Sequence, residues 1–194
     1  MRWLVFTVGA LLSASSNPGV VGALDVAGTV YSAGKPRQDA VVWLEPANAQ
    51  PAPPVARKTV VLDQRTSTFY PHVLAVQVGT TVDLPNNDRV FHNVFSFHDG
   101  KKFDLGLYPV GTVRRVTFDY SGLSRIFCNI HPNMAAYVLA VDSPYFSVSD
   151  SQGRFTIASV PPGSYTYHAW RAGAPDLTGP VVIETGKPLE ITWP

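Results

Sequence analysis

The run Cys128-Asn129-Ile130-His131-Pro132-Asn133-Met134 sets a thiolate, an imidazole and a thioether at i, i+3 and i+6. With one more imidazole these are the donors of a His₂Cys trigonal plane with a weak axial Met, a set that holds copper for one-electron chemistry. Cys128 is the only cysteine among 194 residues, so it has no intramolecular disulfide partner. Fully extended, positions six apart lie roughly 20 Å from each other, whereas metal–donor bonds are about 2 Å long. The segment must therefore fold back as a tight loop. A regular helix would not converge the three side chains, because i+6 is rotated off the face shared by i and i+3. Pro132 fixes its own φ and removes a backbone donor, and Asn133 tolerates turn conformations.

Two strands are expected to carry this loop. Ser124–Phe127 and Ala136–Val141 are rich in β-branched and aromatic residues, a composition that suits a pleated, half-buried surface. The fourth donor must then come from a distant strand. His92, in Val90-Phe91-His92-Asn93-Val94-Phe95, is the best candidate, with Asn93 able to tie that strand to the loop around Cys128. A lone cysteine can also be an inert small core residue. A Cys–His nucleophile would need an activating surround that is missing here. Zinc accepts Cys and His, but thioether is a poor zinc donor. Copper suits the set best.

A His-Asn pair followed by Cys-x-x-His-x-x-Met between two strands resembles the cupredoxins, and the short ligand loop is most similar to that of amicyanin. The resemblance covers residues 66–142. It implies a Greek-key sandwich, with His92, Cys128 and His131 as equatorial copper ligands and Met134 as the axial one. It also implies an exported bacterial protein of the methylamine-utilisation-like type. Three further histidines are read as structural. His98 lies in a turn after the His92 strand and is the substitute ligand should His92 fail. His72 reads as a surface strand residue, and His168 belongs to the C-terminal region.

The N-terminus reads as an export signal. Met1-Arg2 is a minimal basic region, Leu4–Leu12 an apolar stretch, and Val21-Gly22-Ala23 offers small residues for cleavage near Ala23,. The apolar run is about half of what a membrane span needs. Export to a bacterial periplasm is the expectation, with residues 1–23 removed and no membrane span. A bound copper would occupy the thiol that is otherwise odd in an exported chain. Of 15 basic residues cleavage removes Arg2, leaving 14 against 14 acidic ones. A neutral chain argues against nucleic acid as a partner. With 17 Pro and 15 Gly among short β-rich runs, the fold class is all-β, with no amphipathic helix of ten or more residues expected.

A second pattern flanks the copper module. Asp25–Tyr31 and Ala40–Glu45 read as strands around a Gly34-Lys35-Pro36 turn, followed by a Pro-rich loop from Pro46 to Pro54 and strand character at Lys58–Leu62,. Later come Asp150-Ser151-Gln152-Gly153-Arg154-Phe155, Val160-Pro161-Pro162-Gly163-Ser164-Tyr165 and strands near Pro180–Glu184 and Leu189–Trp193. These motifs resemble the carboxypeptidase regulatory-like, or transthyretin-like, β-sandwich. One discontinuous sandwich, 24–65 with 143–194, would then carry the cupredoxin 66–142 as an insertion, which closely spaced chain ends make tolerable. Two or three modules in series, or one merged sheet system, are the alternative. Trp43, Trp170 and Trp193 are expected in a core or an interface.

The expected function is electron transfer at one type 1 copper ion, with no enzymatic activity. The expected partner is an exported dehydrogenase or c-type cytochrome that docks transiently near His131. Copper trafficking or protection, or a structural module without an electron-carrier role, is the alternative.

Overall fold

Short β-branched and aromatic runs, punctuated by Gly- and Pro-containing turns, leave little sequence for helices. The structure, a computed structural model, describes residues 22–48, 59–97 and 99–194, and these contain strands and no helix. The expected signal region up to residue 21, most of the Pro-rich loop and His98 lie outside the described residues.

In chain order the strands are β1 (Leu24–Ser32), β2 (Lys35–Pro36), β3 (Val41–Pro46), β4 (Val60–Val61), β5 (Asp63–Arg65) and β6 (Thr68–Tyr70). They continue with β7 (Val73–Gln77), β8 (Thr80–Pro85), β9 (His92–Ser96), β10 (Phe103–Tyr108), β11 (Val113–Phe118) and β12 (Gly122–Phe127). The last are β13 (Ala135–Val141), β14 (Phe146–Val148), β15 (Arg154–Val160), β16 (Gly163–Trp170), β17 (Leu177–Ile183) and β18 (Leu189–Trp193).

Burial alternates along these strands as a sheet with one covered face requires. In β15, for example, Phe155 and Ile157 are buried while Arg154, Thr156 and Ala158 are exposed. A five-stranded sheet in the order β10-β9-β12-β13-β7 shares a core with the three-stranded β11-β8-β4. Val82, Leu84, Val94, Phe118, Ile126 and Val138 fill it. A second core lies between β15-β1-β18, with β2 on the edge of β1, and β14-β3-β16-β17. It holds Val30, Leu44, Ile157, Ala169, Ile191 and Trp193.

The early strands β1 and β3 pair with the late ones, β1 with β15 and β18, and β3 with β14 and β16. Residues in between pair among themselves. β4 joins β8, β5 joins β6, and Leu62 enters the first core. Residues 60–65 thus pair and pack with the strands of the first core, ahead of the boundary expected between 65 and 66. A third apolar cluster of Val41, Val73, Leu139, Val141 and Trp170 joins the two halves. Tyr137 of β13 and Trp170 of β16 meet there with ring centroids 5.2 Å apart.

The turn motifs of the flanking strands are held locally. Asp150 Oδ1 accepts from the N–H groups of Gln152 and Arg154 at 2.8 and 2.9 Å. Gly153 has a φ of 73°, and a Cβ there would lie 2.6 Å from the Val30 carbonyl oxygen. Only glycine fits. Tyr165 closes its own turn by donating from its hydroxyl to the Pro161 carbonyl at 2.8 Å.

Candidate metal centre

The Cys128–Met134 loop connects β12 to β13, whose last and first residues, Phe127 and Ala135, are paired. Phe127 also pairs with Phe95 of β9, which brings the start of that strand to the same end of the sheet. Two backbone bonds close the loop: Cys128 N–H donates to the Met134 carbonyl at 3.2 Å, and Met134 N–H to the His131 carbonyl at 2.9 Å. Asn129, Ile130, Pro132 and Asn133 are exposed, Cys128 and Met134 are buried, and His131 is half-buried. The loop thus turns its donor-bearing residues inward and its others to solvent.

His92, fully buried, opens β9. Its Nδ1 lies 3.1 Å from His131 Nδ1 and 3.8 Å from Cys128 Sγ, and His131 Nδ1 is 3.5 Å from the same sulfur. All three donor atoms fall within 4.8 Å of one another, a group that could hold a metal ion. Separations of this size are what three donors give when each sits about 2.0–2.3 Å from a common centre. Two imidazole nitrogens and a thiolate are a borderline-to-soft set, which copper accepts readily. The donors present fit copper. Met134 is packed with Cys128 in the first core at 1% exposure.

A carboxylate behind His92 sets which nitrogen is available. Asp88 Oδ2 lies 2.9 Å from His92 Nε2, and its carboxyl also accepts from the N–H groups of Ser67 and Arg89. Burial works to raise the Asp88 pKa, but these hydrogen bonds and the His92 ring outweigh it and hold the carboxyl at about 2. An ionised carboxylate only accepts, so Nε2 carries the proton and Nδ1 offers its lone pair toward Cys128 and His131. Tyr108, the register partner of His92 on β10, donates from its hydroxyl to the Leu84 carbonyl at 3.1 Å and bonds Gln64. Burial pushes its pKa up to about 12, against the lowering effect of the Gln64 bond.

The structure brings together His92, Cys128 and His131 and places Met134 in the same loop. It corrects the part expected of Asn93, whose Nδ2 donates to Asp104 on β10 at 2.7 Å rather than to the Cys128 loop. The reason is alternation: His92 faces the core that holds Cys128, so its neighbour faces the other side of the sheet, where it too is buried,. Asp88, which sequence reasoning passed over, takes the supporting part. Its signal was a carboxylate four residues ahead of the histidine in the turn Asn86-Asn87-Asp88-Arg89. His72 is exposed and meets Asp39 at 3.2 Å. His168 stacks on Trp43 with centroids 4.9 Å apart, remote in sequence and register from the donor cluster.

A family model described as polysaccharide lyase family 4, domain II, matches residues 141–191. No curated protein matches the chain. Among solved structures, similarity extends to a copper-containing nitrite reductase from Thermus scotoductus SA-01, with 26% identity and a TM-score of 0.42 over 48% of this chain and 25% of that one. The chain therefore spans about a quarter of that reductase. A purple cupredoxin from Nitrosopumilus maritimus is 25% identical over 43% of this chain and 98% of its own, with a TM-score of 0.38. An amicyanin variant in its reduced Cu(I) form is 26% identical over 45% of this chain and 86% of its own, with a TM-score of 0.40. Among the described residues no helix is long and apolar enough to cross a membrane.

Proposed function

We propose that this protein holds one copper ion through His92, Cys128 and His131, with Met134 as a weak axial donor, and that it carries electrons. The observation that supports this reading is the convergence of two Nδ1 atoms and one thiol sulfur within 4.8 Å of one another on strand ends and a short loop. Bound there, copper supplies a one-electron couple between Cu(II) and Cu(I). The chain's own residues supply the rest. Asp88 keeps the His92 proton on Nε2, and the burial of His92 and Cys128 excludes water from the thiolate. Anchored donors limit rearrangement when the charge on the metal changes. A cargo-passing copper carrier needs its soft donors within reach of a partner, and the burial of Cys128 and Met134 weighs against that role. Four donors also fill the site, leaving no open position for a substrate, so the protein is read as a carrier and not an enzyme.

His131 is the donor nearest solvent, and Ile130 beside it is 49% exposed. Transient contact with an exported dehydrogenase or c-type cytochrome fits such a small apolar face. In the same reading the protein is periplasmic, with 1–23 a cleaved signal. The copper module is then an insertion of about residues 60–141 in a discontinuous transthyretin-like sandwich, as the pairing of β1 and β3 with β15, β16 and β18 supports. Copper loading of the mature protein tests the function. An intense thiolate-to-copper absorption with reversible voltammetry is expected; copper bound only as Cu(I), without that band, would sink the proposal.

A further inference from the structure

His92 opens its strand at the end of a segment that apolar burial does not hold. Arg89, Val90 and Phe91 immediately before it are all exposed, Val90 at 44% and Phe91 at 52%. Something polar must fix their course. Asn86, which follows the end of β8 at Pro85, is fully buried and uses every polar group it has. Its Nδ2 donates to the Val90 carbonyl at 2.9 Å and to the Tyr108 carbonyl at 3.2 Å. Its Oδ1 accepts from the N–H of Asp88 at 3.1 Å. Its backbone N–H donates to the Thr112 carbonyl at 2.9 Å, and its carbonyl accepts from Gly111 at 2.7 Å.

These bonds join three things that bear on one imidazole. They fasten the segment 87–91 to the loop after β10, they clamp the chain at Tyr108, which is paired with His92, and they orient the backbone of Asp88. Asp88 in turn meets Nε2 of the His92 ring. A buried amide must be bonded somewhere to avoid a desolvation cost, but a purely structural need could be met by partners anywhere. Here its side-chain partners lie on the segment leading to His92 and on the register partner of His92.

We infer that Asn86 is a positioning residue for His92, acting through Asp88 and the Val90 carbonyl to hold Nδ1 toward Cys128 and His131. The inference rests on the reading of His92 as a metal ligand.

The test uses the full mature chain with Asn86→Ala, Asp88→Ala and the two combined. Nitrogen-15 NMR of the metal-free protein at neutral pH reads the His92 tautomer, and titration with Cu(II) reads affinity. In Asn86→Ala, His92 should populate both tautomers while strands remote from the site keep their wild-type amide shifts. Copper affinity should fall roughly 10-fold, in the range for lost support of a ligand. Combined with Asp88→Ala, the loss should be smaller than the product of the two separate losses, because both act on one ring. A folded Asn86→Ala with His92 held in the Nε2–H form and unchanged copper affinity would overturn the inference, as would losses that multiply. If Asn86→Ala does not fold, Asn86→Ser, which keeps a small polar group, is read by the same criteria. Wild-type protein that takes up no Cu(II) would instead overturn the functional reading, and the tautomer alone would then decide the role of Asn86.

Discussion

The two cores of this molecule admit different polar groups. The core between β15-β1-β18 and β14-β3-β16-β17 is apolar, and among the described residues the buried polar side chains of that half are the serines Ser32, Ser143 and Ser149. The half around His92 buries Gln64, Asn86, His92 and Asn93 as well. Amides and an imidazole are costly to bury unless each polar atom is bonded. In the flanking half, Asp150 fastens its turn at the surface, while the buried serines bond backbone far away in sequence: Ser149 Oγ accepts from Ala40 N–H at 3.0 Å and Ser143 Oγ donates to the Leu44 carbonyl. In the half around His92, buried amides bond neighbouring strands: Gln64 Nε2 donates to the Tyr108 hydroxyl, Asn93 Nδ2 to Asp104, and Asn86 Nδ2 to the Val90 and Tyr108 carbonyls. The difference lies in the kind of polar group each half buries: among the described residues, hydroxyls alone in one, and amides and an imidazole besides in the other.

The sharpest way to break this contrast is to remove the thiol. Cys128→Ser should abolish the thiolate–copper absorption altogether while the fold, read by circular dichroism, stays; a persisting band would mean that the copper ligands lie elsewhere. Next in size is a cavity in the other half. Leu44→Ala, at a side chain with no exposure, should cost about 2–5 kcal/mol of stability in chemical unfolding. The spectrum of bound copper should not move, and a shifted band would show that the halves are not separable in this way. Asp88→Ala should do the reverse, weakening copper binding by roughly 10–100-fold with a smaller effect on unfolding of the metal-free chain.

The smallest effect concerns alkaline pH. Burial lifts Tyr108 from 10.0 to about 12, so the unfolded chain releases this proton before the folded one does. The stability contributed is fully present below pH 10 and is lost as pH rises through 12. Unfolding of metal-free wild type and Tyr108→Phe between pH 9 and 12 should show a shallower loss in the variant. Equal slopes would show that the buried hydroxyl carries no such cost.

Much of the site was legible from residue types alone. Cys128, His131 and Met134 declare themselves by chemistry and spacing, and His92 by being an imidazole in an apolar strand. The turn motifs around Asp150, Gly153 and Tyr165 were equally plain, because their bonds close within four residues. Asp88, Asn86 and Gln64 were not. An Asn-Asn-Asp-Arg run reads as an ordinary solvated turn, and nothing local reveals that one of its amides is buried. That Asn93 faces the opposite side of the sheet from His92 was also missed, although period-two alternation required it.

Sequence by itself determined the candidate donors, the all-β character and the local turns, since these depend on side-chain chemistry and on contacts only a few residues apart. Tertiary structure decided that β4 and β5 pair with β8 and β6 rather than with the flanking strands, and which side chains support His92. It also decided that Val41, Leu139 and Trp170 weld the two halves together. Those outcomes turn on which strand edges meet and which faces are covered. Pairing of residues far apart in the chain settles both, and no local pattern encodes it.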